Sequence, residues 1–186
     1  MTTDRREFLA AAGAGLGLGA IGAGVARGST ATGGKSSARG EKFSMHFAPH
    51  LGMFRHHAGD DPIAQLEFMA DAGFTAFEDN GMGGRDHDLQ RRMAQTMERV
   101  GLTMGVFVAS AHWGEHTFVK PWREVGDRLA GNMRNAVEIA KRVNAKWCTV
   151  LLDAINHRVD MAYQTANAIE CLKRCAEICE PAGLVM

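Results

Sequence analysis

One kind of join constrains this chain more than any other feature. In Asp71-Ala72-Gly73-Phe74-Thr75-Ala76-Phe77-Glu78-Asp79-Asn80 a helical pattern stops on glycine, an apolar strand pattern follows at once, and polar residues end the strand. The join recurs at Arg99-Val100-Gly101-Leu102, Arg142-Val143-Asn144-Ala145 and Pro181-Ala182-Gly183-Leu184. Gly or Asn stands each time where a left-handed C-cap is needed. Helices alternating with apolar strands mean parallel βα units joined by crossover helices.

The spacing predicts strands over Lys42–Ala48, Phe74–Glu78, Leu102–Ser110 and Lys146–Leu152, and Leu184-Val185-Met186 opens a fifth. The run Trp147-Cys148-Thr149-Val150-Leu151 is continuously apolar, as expected of a strand buried on both faces. Helices are expected from Asp60-Asp61-Pro62, where an acid precedes a proline that needs no N–H, and over Asp86–Val100, Arg123–Val143 and Val159–Cys179. Their stripes (Ile63, Leu66, Met69 and Ala70; Leu89, Met93, Met97 and Val100; Val125, Leu129, Met133, Val137 and Ala140) recur at helical spacing. The methionines belong to these stripes and read as core.

Four βα units and the start of a fifth fit a (β/α)8 barrel cut short or an open doubly wound sheet. A barrel needs about 250 residues, of which 42–186 supply roughly half. Ala48-Pro49-His50 stands where a dinucleotide fold would place glycines after strand one, which favours the barrel.

Residues 1–26 read as a leader. Asp4-Arg5-Arg6-Glu7-Phe8-Leu9 sets an arginine pair ahead of an Ala/Gly-rich run, resembling a twin-arginine export signal. Such a chain would be periplasmic or otherwise extracytoplasmic and would meet a membrane only during export. Residues 27–41 read as a flexible Gly/Ser/Ala-rich linker. The 21 basic and 21 acidic residues balance, which gives no footprint for nucleic acid. Cys171, Cys175 and Cys179 stack on one helix face, a poor geometry for bonding to one another, and read with Cys148 as core packing.

Chemistry in parallel sheets gathers where the strands end. His46 and His50 lie there after strand one, Glu78, Asp79 and Asn80 after two, Ser110, His112 and Trp113 after three, and Asp153, Asn156 and His157 after four. Glu78 is a candidate to line a pocket, His112 to contact substrate or metal, and Trp113 to wall that pocket. Asn156, His157 and Arg158 are candidates to bind a carboxylate or phosphate. The His56-His57 pair lacks a third ligand, and Asp86-His87-Asp88 reads as helix capping.

Phe43-Ser44-Met45-His46-Phe47, Ala72-Gly73-Phe74-Thr75-Ala76-Phe77-Glu78, the passage from helix three to strand four, and Ile178-Cys179-Glu180-Pro181-Ala182-Gly183-Leu184 resemble, in order and spacing, the N-terminal half of the sugar isomerase/epimerase superfamily. That superfamily has a xylose isomerase-like TIM barrel, and the likeness is greatest to its hydroxypyruvate isomerase group. The resemblance implies interconversion of α-hydroxy aldehyde and ketone, or epimerisation beside a carbonyl, on a small hydroxy-carbonyl or sugar-like substrate. It also implies one divalent cation (Mg, Mn, Zn or similar) held from strands five to eight, with glutamates of strands five and eight moving the proton. The sequence given ends at Met186, ahead of those positions. No catalytic glutamate and no metal ligand of the family maps onto it, so no cofactor is expected for this stretch alone. The expectation is a truncated, inactive half-barrel that self-associates through open sheet edges. The alternatives are an endonuclease IV-like metal phosphodiesterase, for which His112 and His157 are suggestive, and a non-catalytic remnant.

Overall fold

A computed structural model describes residues 40–186. The expected leader and all but the end of the linker lie outside the described residues.

Every helix-to-strand join closes in the same way. Gly73, Gly101, Asn144 and Gly183 have φ of 96°, 77°, 53° and 68°. The next residue then donates its N–H five positions back: Phe74 to Met69 (3.0 Å), Leu102 to Met97 (2.9 Å), Ala145 to Ala140 (3.0 Å) and Leu184 to Cys179 (3.2 Å). These are Schellman-type closures, which satisfy carbonyls that the helix end leaves without a partner.

The elements are α1 (Arg55–Ala58), α2 (Pro62–Asp71), β1 (Ala76–Phe77), α3 (His87–Val100), β2 (Thr103–Met104), β3 (Val106–Ser110), α4 (Trp122–Val143), β4 (Trp147–Val150) and α5 (Met161–Cys179). Short 3-10 turns occupy Met82–Gly84 and Glu180–Ala182. Asp61, Asp86 and Asp160 cap α2, α3 and α5 by accepting from the N–H groups of Ile63 (3.1 Å), Leu89 (2.8 Å) and Ala162 (2.8 Å). Among the described residues no helix is long and apolar enough to cross a membrane.

The pairings are parallel and sequential. β1 pairs with β2 and β3 with β4. Bridges from His50 to Glu78 and from Trp147 to Val185 add a strand-like edge on either side. Neighbours in the sheet are thus neighbours in sequence, the order of a barrel wall rather than of a doubly wound sheet. The helices pack in the same succession, α2 on α3, α3 on α4 and α4 on α5. Phe77, Met104, Phe107 and Cys148 face them and are buried beside Leu66, Met93, Leu129 and Met133.

Four strand expectations are corrected. Lys42–Ala48 forms no strand: it runs beside β1 on scattered bonds, such as Phe43 N–H to the Gly73 carbonyl (3.1 Å) and the His46 ring to the Thr75 hydroxyl (3.0 Å), and it is exposed. Its other side has no partner strand among the described residues. Strand two shrinks to Ala76–Phe77. Strand three breaks at Gly105, where it changes neighbours. Gly105 donates to the Phe77 carbonyl at 2.7 Å, and a Cβ there would meet that oxygen at 3.0 Å. Strand four is buried on one face only. Cys148 is 5% exposed but Trp147 is 47% exposed. Val106, Trp147 and Val185 lie in one row across the wall, and Val108 lies opposite Thr149. These rows form a concave wall facing away from the helices.

Candidate functional site

The polar strand ends do gather at one rim of the wall, but they divide between two faces. Glu78 follows Phe77, so strand alternation turns it to the concave side. The residue is half-buried and makes no ion pair among the described residues. Asp79 turns the other way and is 1% exposed. Arg85 grips both of its oxygens, and Asp79 Oδ1 also accepts from Gly81 N–H at 3.1 Å. This fork-to-fork pairing folds the loop 79–85. His50 props the same rim: its Nδ1 hydrogen goes to the Leu51 carbonyl (2.7 Å), leaving Nε2 to accept from Asn80 N–H (3.4 Å).

At the end of β3 the register shifts between Val108 and Ser110. Such bulges re-aim the side chains that follow. Ser110 and His112 consequently meet α4. The Asn132 amide lies 3.1 Å from Ser110 Oγ and 3.0 Å from His112 Nε2, while Arg128 reaches His112 Nδ1 at 2.5 Å. A guanidinium can only donate, so Nδ1 accepts from Arg128. Asn132 Nδ2 donates to the Ser110 hydroxyl and lies against His112 Nε2. Arg128 also holds Glu115 at 2.7 and 3.2 Å. That bond draws the Glu115 carboxyl below its ordinary value and raises the Arg128 guanidinium.

Asp153 ties this network to the end of β4. Its φ is 65°, uncommon for a residue other than glycine. In that conformation it accepts from His112 N–H at 2.6 Å and from the Thr117 hydroxyl. The Ala154 N–H and carbonyl bind the Glu115 carbonyl (3.0 Å) and the His116 ring (3.1 Å). The two loops are therefore one unit.

The remaining candidates stand apart from it. Trp113 is 81% exposed and borders an open groove of about 370 Å³ with Leu151, Leu152 and Asp153. Asn156 builds its own turn: Oδ1 accepts from Arg158 N–H (3.0 Å), and Gln164 of α5 binds the Asn156 N–H and carbonyl (2.8 and 2.9 Å). His157 and Arg158 are exposed on that turn. His112 faces a separate recess of about 270 Å³ with Asn80, Ser110, Asn132 and Asn135. A groove of about 370 Å³ at the opposite rim, by Thr103 and Asn144, gathers no comparable network.

Arg128 and Asn132 were not among the candidates, and Asp153 was named only as a polar strand end. The first two were detectable as a polar i, i+4 pair, each one residue ahead of an inward apolar position, Leu129 and Met133. No set of three His, Cys, Asp or Glu side chains converges for a metal among the described residues. His57 stacks on Phe68 (5.4 Å, 11°), and Asp86 caps α3.

No protein-family model matches the chain, and no curated protein matches it. Solved structures do. The AP endonuclease, family 2, from Brucella melitensis superposes with a TM-score of 0.59 at 20% identity over 75% of this chain and 52% of that one. D-psicose 3-epimerase from Clostridium cellulolyticum H10 gives 0.57 at 15% identity over 75% and 50%. A sugar phosphate isomerase/epimerase from Parabacteroides distasonis gives 0.55 at 18% over 80% and 51%. The chain spans about half the length of these barrels, and its fold is that of part of a TIM barrel.

Proposed function

We propose that residues 42–186 are the first half of a sugar isomerase/epimerase-type barrel, related in activity to hydroxypyruvate isomerases. The complete enzyme would interconvert α-hydroxy aldehyde and ketone forms of a small substrate by moving a proton beside a carbonyl. The observation that carries this reading is Glu78. It is a half-buried glutamate with no ion pair among the described residues, on the concave face of a parallel wall, at the rim where such barrels work. There it accepts a hydrogen bond from a substrate hydroxyl and fixes the substrate's orientation. Trp113 offers a flat apolar face to a carbon skeleton, and His157 with Arg158 offers donors to an acidic group. The likeness to an epimerase and to a sugar phosphate isomerase/epimerase supports the same class.

The proton-transferring groups and any divalent cation belong, in this reading, to residues outside the described stretch. The residues present do not fit a metal, since no three ligands converge among them. Export by the twin-arginine route would place the enzyme outside the cytoplasm.

A second reading, phosphodiester cleavage, is favoured by the AP endonuclease likeness and by a histidine ending strand three. Against it, both nitrogens of His112 are already engaged by Arg128 and Asn132. The test is to incubate the protein expressed from its native gene with hydroxypyruvate and a ketose/aldose panel in deuterated water. Deuterium appearing on the carbon beside the carbonyl is expected, and Glu78→Gln should lower kcat/KM about tenfold or more, ~1.4 kcal/mol. Cleavage of an abasic oligonucleotide without such exchange would replace this reading with the second.

A further inference from the structure

All 4 cysteines of the chain are buried, three along α5 and one on β4. Cys171, Cys175 and Cys179 line the sheet-facing side of α5 with no exposure, and Cys148 faces them from β4 at 5%. The chain after α5 turns back on the 3-10 turn Glu180–Ala182 and brings the two backbones together. Leu184 donates to the Cys179 carbonyl at 3.2 Å, and the carbonyl of the next residue, Val185, accepts from Cys148 N–H at 2.9 Å. The side chains of Cys148 and Cys179 interact at this junction. A groove of about 320 Å³, lined by Ala176, Cys179, Gly183, Leu184 and Val185, opens beside this pair.

We propose that Cys148 and Cys179 are a disulfide-forming pair whose oxidation ties β4 to the C-terminal end of α5. The inference is independent of the reaction catalysed. Side chains from a strand and from a helix end approach head-on, as a disulfide needs, whereas thiols stacked along one helix run parallel. Cys179, not Cys148, lines the groove, so Cys179 is the thiol an oxidant meets first, and its interaction with Cys148 draws it below its ordinary value. The same interaction and burial push Cys148 upward.

The oxidant is a small disulfide such as oxidised glutathione. Cys179 attacks one of its sulfurs and releases one glutathione thiolate, leaving a mixed disulfide. Cys148, giving up its proton to solvent, then attacks the Cys179 sulfur and releases the second glutathione thiolate. One disulfide is reduced to two thiols as two protein thiols become one disulfide. Cys175, pushed up to about 12 by burial, and Cys171, which donates to the Lys120 carbonyl at 3.6 Å, stay out of the exchange.

The test is to equilibrate the full chain with oxidised glutathione in mild urea, which opens the Leu184–Met186 cover, and then to count thiols in strong denaturant and map peptides. A fall from 4 thiols to two, a mass lower by two hydrogens and a linked Cys148–Cys179 peptide are expected. Cys148→Ala or Cys179→Ala should abolish the intramolecular bond, and Cys171→Ala should leave it. The wild-type map decides the question even where a variant folds poorly. Four free thiols, a glutathione adduct that never resolves, or a link through Cys171 or Cys175 would overturn the proposal.

Discussion

Gly73 answers to two constraints at once. Its φ of 96° lies in the left-handed region, and a Cβ on it would sit 2.3 Å from the Glu41 carbonyl oxygen. Gly101 has only the first constraint: its φ is 77° and no atom lies within 4 Å of the added carbon. Gly101→Ala should therefore cost about 1–2 kcal/mol, the strain of a side chain in this conformation. Gly73→Ala should cost more, because the chain at residues 40–43 must also move off the end of α2. Urea unfolding of both variants checks the ordering, and equal losses would mean the Glu41 contact imposes nothing. The need for these glycines was legible in the sequence, as was that for Asn144 at φ 53°, because a cap is a local requirement. The second constraint on Gly73 was not, because Glu41 belongs to another element. His112 shows the same limit. Its place at a strand end could be read, but its face could not, since a register shift turned it toward Arg128 and Asn132.

Among the elements, the loop 79–85 depends most on a single pair. Asp79 is 1% exposed, and Arg85 supplies its counter-charge. Arg85→Ala should destabilise the protein by roughly 3–5 kcal/mol, because it strands a buried carboxylate. Adding Asp79→Leu to that variant should recover part of the loss, since no charge is then left unpaired. Thermal unfolding of the single and double variants measures this, and a double variant worse than the single would refute it. The helices α2 to α5 followed their sequence signals within a residue or two, for each has its apolar period, and α2, α3 and α5 have an aspartate cap. The strands followed theirs less well. Lys42–Ala48 has strand composition but only one neighbouring strand to pair with, and composition cannot report how many neighbours there are. The break at Gly105 likewise reflects a change of neighbour that no local pattern carries.

At the scale of the whole molecule, the concave wall is the open question of stability. Trp147 and Val185 expose apolar surface there, and the exposed stretch 43–47 has no partner strand on its outer side among the described residues. The chain should associate with itself as concentration rises, read as a growing weight-average mass in sedimentation. Trp147→Lys should shift that association to at least tenfold higher concentration, ~1.4 kcal/mol, with little change in unfolding, because Trp147 is already 47% exposed. A single unchanging species over the whole range would show that the wall needs no cover. The sequential order of the wall was legible from the rhythm of the joins. Its exposed inner face was not, since a continuous apolar run reads the same whether its second side meets protein or water.

Trp147 also carries an optical consequence. An indole in water emits at longer wavelength than one shielded by apolar atoms, so with Trp113 and Trp122 changed to phenylalanine the colour of the remaining emission becomes a gauge of whether the hollow is wet. Whatever seats itself there, whether the rest of a barrel, a second molecule or a ligand, would announce its arrival as a shift to the blue.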